Sequence, residues 1–257
     1  MEGTTDADIA DRKAAGERNE RDDHDEHGDG AHEHEHGREH YCEDASAVER
    51  AIAAFRAGKP VLIHDATDRE GETDLIYPAR TVSPSTLARL RNDAGGLVCV
   101  ALADSVADAW KLPFVAERLD HPAAAAHDLG YDERSSFSLT VNHRDTYTGI
   151  TDEDRALTVS ELGRAAAAPE NYDFPSAFRT PGHVHLLRGA PGLLADRRGH
   201  TELGLALAAA AELPPAVTVC EMLADAGGAL PPAAAQAYAD RNGLVYVEGA
   251  DVVERLG

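Results

Sequence analysis

The chain has 257 residues, 43% of them hydrophobic, which suffices for one large domain with its own core. A net charge of −22 with no local basic patch argues against a DNA or RNA partner, and no apolar run has the form of a membrane span or signal peptide. Its three cysteines (Cys42, Cys99 and Cys220) lie far apart and form no CxxC pair, which excludes a structural zinc site or a disulfide scaffold.

The expected protein is soluble and cytoplasmic. Lys13, Lys59 and Lys111 are the only lysines. Many acids, few lysines and much alanine fit adaptation to high salt, where screening relieves self-repulsion.

Residues 1–43 carry Asp22-Asp-His-Asp-Glu-His27 and Ala31-His-Glu-His-Glu-His36 but few apolar residues and no periodicity. Such a segment buries too little surface to offset its ordering entropy, so it is expected to be disordered. His24, His27, His32, His34, His36 and His40 among carboxylates would hold transition metals loosely. A flexible tail cannot preorganise a catalytic site, so the chemistry is expected in residues 44–257.

There, Ser46-x-x-Glu49 is a capping box, followed by Val48, Ile52 and Phe55 at helical spacing and a stop at Gly58. Val61 to His64 read as a buried strand. Ser83-Pro84 begins a helix that runs to Arg91, and Gly95-Gly96 turns into a strand over Leu97 to Leu102. Residues 113–135 show no periodicity and read as a long loop, a feature that in compact domains is often functional. Further strands are expected over 136–143, 183–187, 217–221 and 244–247, with helices after Thr151 and over 201–213, 233–240 and 251–256. Strands and helices interleave without strict alternation, which predicts an α+β (α/β-like) fold: a three-layer sandwich with a mixed sheet, in one domain.

Three pieces carry chemistry. Asp65-Ala-Thr-Asp-Arg-Glu-Gly-Glu-Thr-Asp74 crowds five carboxylates and one arginine behind the first strand. Charges this close repel unless a cation sits among them. Asp196-Arg-Arg-Gly-His-Thr-Glu202 opens a helix, where free backbone N–H groups, Arg197, Arg198 and Thr201 would cradle a phosphate and His200 offers a nitrogen to a metal. Glu221 follows the apolar strand that ends at Cys220.

In this order and spacing, Asp68-Arg-Glu-x-Glu-x-Asp74, Arg197-x-Gly-His-Thr201 and Cys220-Glu221 resemble the 3,4-dihydroxy-2-butanone 4-phosphate synthases of riboflavin biosynthesis. So do Ala94-Gly-Gly-Leu-Val-Cys99, Thr148-Gly-Ile-Thr-Asp-Glu-Asp-Arg155 and Thr180-Pro-Gly-His-Val184 with Leu187-Arg188. The resemblance spans 47–253 and implies a lyase that converts ribulose 5-phosphate to a four-carbon phosphate and formate, as a homodimer. It implies Mg²⁺ or Mn²⁺ on Glu70 and His200, and substrate contacts from Arg69, Glu70, Asp74 and Glu221. Arg197, Arg198, Gly199, His200 and Thr201 match the phosphate-binding turn. Gly71 stands where asparagine is usual, Thr73 where glycine is usual, and Arg198 in place of another glycine; the first two changes resemble archaeal members.

That chemistry removes a proton beside a carbonyl, and hard oxygen ligands suit Mg²⁺ as the Lewis acid. Crowding among Glu70, Glu72, Asp74 and Glu221 would raise one carboxyl pKa toward neutrality, which places the base near Asp74 and Glu221 and leaves Glu72 to orient Arg69. Another metal-dependent sugar-phosphate isomerase or aldolase, or a metal-handling protein built around the tail, are the competing expectations. His183 and His185 are expected to pack within a strand, Cys99 and Cys220 to be buried and inert, and Asp154-Arg155 to be an ion pair or cap. His64, His121, His127 and His143 have no partner evident in the sequence. Some relatives carry a fused cyclohydrolase with cysteine zinc ligands; this chain is expected to carry the synthase activity alone.

Overall fold

A computed structural model describes residues 45–257 except 67–68, 125–128, 131 and 133. The His-rich tail expected over 1–43, Cys42, Asp68 and His127 therefore lie outside the described residues.

Ser46 caps α1 (Ala47–Arg56) as its sequence predicts: its hydroxyl accepts from Glu49 N–H at 3.2 Å, and the Glu49 carboxylate accepts from Ser46 N–H at 2.9 Å. The chain then enters β1 (Val61–His64) and returns through β2 (Thr73–Pro78), antiparallel, with Ile63 opposite Asp74. The sequence reading placed Asp74 in an acidic loop. It lies instead inside a fully buried strand, and its partners across the sheet are what hold it there. Period-two patterning is hidden in a strand buried on both faces, which is why β2 was missed.

Downstream come α2 (Pro84–Arg89), capped by Ser83, then a wide turn over Leu90–Ala94. After these follow β3 (Cys99–Leu102), α3 (Asp104–Ala109), β4 (Phe137–His143), α4 (Asp152–Ala165), α5 (Phe174–Ala177) and β5 (Phe178–Arg188). The last elements are α6 (His200–Ala210), β6 (Ala216–Val219), α7 (Pro232–Asn242), β7 (Val245–Glu248) and α8 (Gly249–Leu256). The strands make one mixed sheet in the order β4-β5-β3-β6-β2-β1-β7; β3 runs parallel to β5 and β1 to β7, and the other pairs are antiparallel.

Alternate side chains of each strand point to opposite faces, so the sheet has two cores. Leu62, Leu75, Val100 and Leu186 pack with Leu87 of α2, Leu162 of α4 and Ala235 of α7. Val61, Ile63, Ile76 and Val217 pack with Phe55 of α1, Leu203 of α6 and Val252 of α8. Helices on both sides give the three layers expected, and each fully buried aliphatic side chain contributes about 1.5–3 kcal/mol. The directions bring the C-terminal ends of β1, β6 and β7 to the same edge as the N-terminal ends of β2 and β3. Among the described residues no helix is long and apolar enough to cross a membrane.

Candidate active site

The loop between β1 and β2 is built on Asp65. Its buried carboxylate accepts from Glu72 N–H at 3.1 Å and weakly from Glu70 N–H at 3.4 Å, while Asp65 N–H donates to Glu72 carbonyl at 3.1 Å. His64 Nδ1 lies 2.9 Å from the same carbonyl and 3.2 Å from the Thr73 hydroxyl, so this histidine is a partner of the loop. Gly71 adopts φ +66, a left-handed turn open to glycine and tolerated by asparagine, which explains how a glycine serves where asparagine is usual.

On β2, Asp74 faces Glu221 across an antiparallel bridge, fixed by Leu75 N–H to Cys220 carbonyl and Met222 N–H to Thr73 carbonyl. Glu221 is held in turn by the Gly95-Gly96 turn. Its Oε2 accepts from Leu97 N–H at 2.7 Å, and its carbonyl accepts from Gly96 N–H at 3.0 Å. A side chain at Gly96 would meet the Glu221 carbonyl oxygen at 2.5 Å, so only glycine lets the two backbones approach.

The other half of the site opens α6. Gly199 is its N-cap, His200 its first residue, and Thr201 is buried behind it. His200 Nδ1 lies 3.4 Å from Glu70 Oε2 and 3.7 Å from Asp74 Oδ1. Burial alone would lower the histidine pKa, but Asp74, Glu70 and Asp65 together raise it to about 9. Burial raises Asp74 to about 7, with Glu221, Glu70 and Glu72 adding repulsion against the pull of His200. Burial and the charges of Glu70 and Glu221 raise Glu72, whereas the His200 hydrogen bond, with His200, Arg197 and Arg69 charges, lowers Glu70 against burial.

These residues line a cavity of about 410 Å³, in which Glu70, Glu72, Asp74, Glu221 and His200 share the wall with Arg69 and Arg197. A larger space of about 1170 Å³ shares Arg69 and Arg197 as a wall and is the one that Arg198 lines. Only the smaller cavity brings the acidic cluster and the arginines to one volume. Arg198 is exposed and does not line it, whereas Arg197, His200 and Thr201 of the expected turn do.

Arg69 is not oriented by Glu72 as expected; Asp132 at 3.3 Å and Asp65 at 3.8 Å hold it. Asp132, from the long loop, also bridges Arg197, which donates through Nη1 to Glu202 at 2.6 Å. Asp65 was legible only as one of the five crowded carboxylates and Glu202 only as the end of the second motif, neither with a role of its own, and Asp132 was not singled out.

Asp154 and Arg155 do not pair with each other. Asp154 accepts from the N–H groups of Tyr147, Thr148 and Gly149, and Arg155 binds Asp152 at 3.1 Å. Cys99 and Cys220 are buried, and burial first of all pushes both thiols up, that of Cys220 to about 12. His183 meets Asn142, and His185 packs edge-on against Phe137.

A cation fits here. Asp65, Glu70 and His200 each offer one ligand atom, all within 4.8 Å of one another, and His200 Nε2 and Asp74 Oδ1 are buried without a hydrogen-bond partner. Such orphans are uncommon in folded proteins, and a mostly oxygen donor set suits Mg²⁺ or Mn²⁺.

Residues 49–255 match the family model for 3,4-dihydroxy-2-butanone 4-phosphate synthase. A protein of that name from Archaeoglobus fulgidus is 47% identical over 219 residues, which cover 80% of this chain and 92% of the relative. A solved 3,4-dihydroxy-2-butanone 4-phosphate synthase in complex with two magnesium ions superposes with a TM-score of 0.70 at 31% identity, over 82% of this chain and 96% of that one. A two-domain synthase from A. baumannii gives 0.69 at 32% identity, and this chain spans 56% of its length. The chain belongs to the 3,4-dihydroxy-2-butanone 4-phosphate synthase family.

Proposed function

We propose that this chain splits D-ribulose 5-phosphate into 3,4-dihydroxy-2-butanone 4-phosphate and formate, and that the residues above do the work. The observation that carries the reading is the lining of the smaller cavity. Its wall gathers carboxylates and a histidine suited to a cation, together with Arg69 from the β1–β2 loop and Arg197 just before α6. A phosphorylated ketose has the matching ends: adjacent carbonyl and hydroxyl oxygens at one, a dianion at the other.

Glu70 and His200, with Asp65 beside them, would hold Mg²⁺ or Mn²⁺, which supplies Lewis-acid polarisation of the substrate's oxygens. Arg69, Arg197, the Gly199 turn and Thr201 bind the phosphate and fix the sugar's direction. Asp74 and Glu221 take and return the proton beside the carbonyl. Asp74 suits this best, because a buried carboxyl with a pKa of about 7 is strong enough as a base and still able to give the proton back. Reactant and products balance without oxidant or reductant.

Homodimer formation is part of the reading. It is supported by Tyr147 and Ile150, 93% and 51% exposed on a loop that Asp154 holds rigid. The high acid content supports a salt-adapted protein, and the free cysteines support a reducing, intracellular setting. Residues 1–43 are proposed to be an accessory tail outside the synthase domain.

The test is formate release from ribulose 5-phosphate in an Mg²⁺ titration. Glu70→Ala and His200→Ala should each abolish it. Unchanged turnover in both variants would remove these residues from the site, and five-carbon or two-fragment products without formate would point to an isomerase or aldolase.

A further inference from the structure

Arg197 stands beside an unusual hazard. Glu70, Glu72, Asp74 and Glu221 line the same cavity, and Glu70 already feels its charge. A free guanidinium there would swing among these carboxylates, neutralise the metal end and leave the phosphate end empty. What restrains it are two carboxylates: Asp132 at Nε and, on the far side, Glu202 at Nη1. Glu202 has no exposed surface and lies in the first turns of α6. Its Oε2 accepts from Arg197 Nη1 at 2.6 Å, and its Oε1 accepts from Ala190 N–H at 3.0 Å.

Ala190 begins the connection from β5 to α6, and Arg197 stands near its end. One buried carboxylate thus ties both ends of the segment that forms the phosphate turn. Gly199 is pressed against Arg197 as well: a side chain there would meet Arg197 Nη1 at 2.6 Å and Arg69 Nη2 at 3.0 Å. A planar fork held at Nε by Asp132 and at Nη1 by Glu202 has its orientation fixed, so its remaining donors are aimed in one direction.

We infer that Glu202 is a positioning residue, which acts through Arg197 to hold that guanidinium at the phosphate end of the cavity and away from the metal-binding carboxylates. The inference rests on the proposed function. Glu202 touches neither the substrate nor the metal ligands.

Glu202→Gln tests it, since the amide oxygen can still accept from Ala190 N–H while the charge facing Arg197 is lost. Expected are a KM for ribulose 5-phosphate raised about tenfold and inorganic phosphate binding, followed calorimetrically, weakened by a similar factor, the size typical of one charge-assisted contact. The kcat should stay within about twofold and the Mg²⁺ activation constant should not move, as expected when only uniform binding is lost. In an Arg197→Gln background, Glu202→Gln should add no further loss, because the two residues act as one unit.

Unchanged phosphate affinity, or an equal loss in both backgrounds, would overturn the inference. If Glu202→Gln alone does not fold, Arg197→Gln is compared with the double variant: equal phosphate affinities support the inference and a further drop overturns it. Wild-type protein that releases no formate from ribulose 5-phosphate would instead defeat the functional reading, whatever the phosphate titration shows.

Discussion

Asp74 Oδ1 lies 3.7 Å from His200 Nδ1, both side chains are buried, and neither Asp74 Oδ1 nor His200 Nε2 has a hydrogen-bond partner. A strand residue and a helix-capping turn, 126 positions apart in the numbering, thus meet around a space that a cation would complete.

The metal end can be separated from the base. Glu70→Gln removes a ligand charge but little volume, and should weaken Mg²⁺ activation by about 10–100-fold, the range seen when metal-site groups are altered. Calorimetric Mg²⁺ titration of wild type and variant checks this. Equal affinities would exclude Glu70 as a ligand.

Asp74→Asn should act on turnover. Replacing a general base by its amide lowers kcat by about 10²–10⁴-fold, with KM and Mg²⁺ affinity changed far less. Glu221→Gln should fall short of that loss if Asp74 is the base. Initial rates of formate release for the two variants rank them, and a larger kcat loss in Glu221→Gln would reverse the assignment.

Gly96→Ala should disturb Glu221 directly, because its Cβ would crowd the Glu221 carboxylate as well as its backbone. Its Cβ would sit 2.5 Å from the Glu221 carbonyl oxygen and 2.8 Å from Glu221 Cβ, so backbone must move. Overpacking of this kind costs about 1–3 kcal/mol. Urea unfolding should show the lost stability, and activity should fall with it. A variant as stable and active as wild type would show that the turn gives way freely.

His185 offers a pH test away from the charged cluster. Burial lowers its pKa below the ordinary 6.5, so the folded protein resists the proton that the unfolded chain accepts. The stability tied to neutral His185 is present above pH 6.5 and is lost as pH falls from there toward the folded-state pKa. Thermal melts of wild type and His185→Leu at pH 7.5 and 5.5 should show the wild type losing more on acidification. Parallel losses would contradict this.

Deleting residues 1–43 should leave formate release and its Mg²⁺ dependence unchanged while abolishing retention on a Ni²⁺ resin, because the six tail histidines precede residues 49–255, which match the family model. A loss of turnover on deletion would make the tail part of the enzyme.

Much of this protein was legible in the chain itself. Ser46 with Glu49, and Ser83 with Pro84, announce helix starts because a cap is a contract among neighbours three residues apart. The motifs around Arg69, His200 and Glu221 name the family for a similar reason, since their spacing is written along the chain. The partners of each charge are not. β2 is buried on both faces, so no alternation marked it, and only register across β1 and β6 turned Asp74 from a loop acid into a buried one facing Glu221.

Asp132 and Glu202 reach Arg197 from a loop and from a helix interior, and Glu70 meets His200 across 130 positions of sequence. The sequence determined which ionisable groups this protein carries and where its helices begin, since those depend on residues close in the chain. Tertiary structure decided which carboxylate faces histidine, arginine or another carboxylate, because burial and distance between remote segments set those energies, and neither is encoded locally.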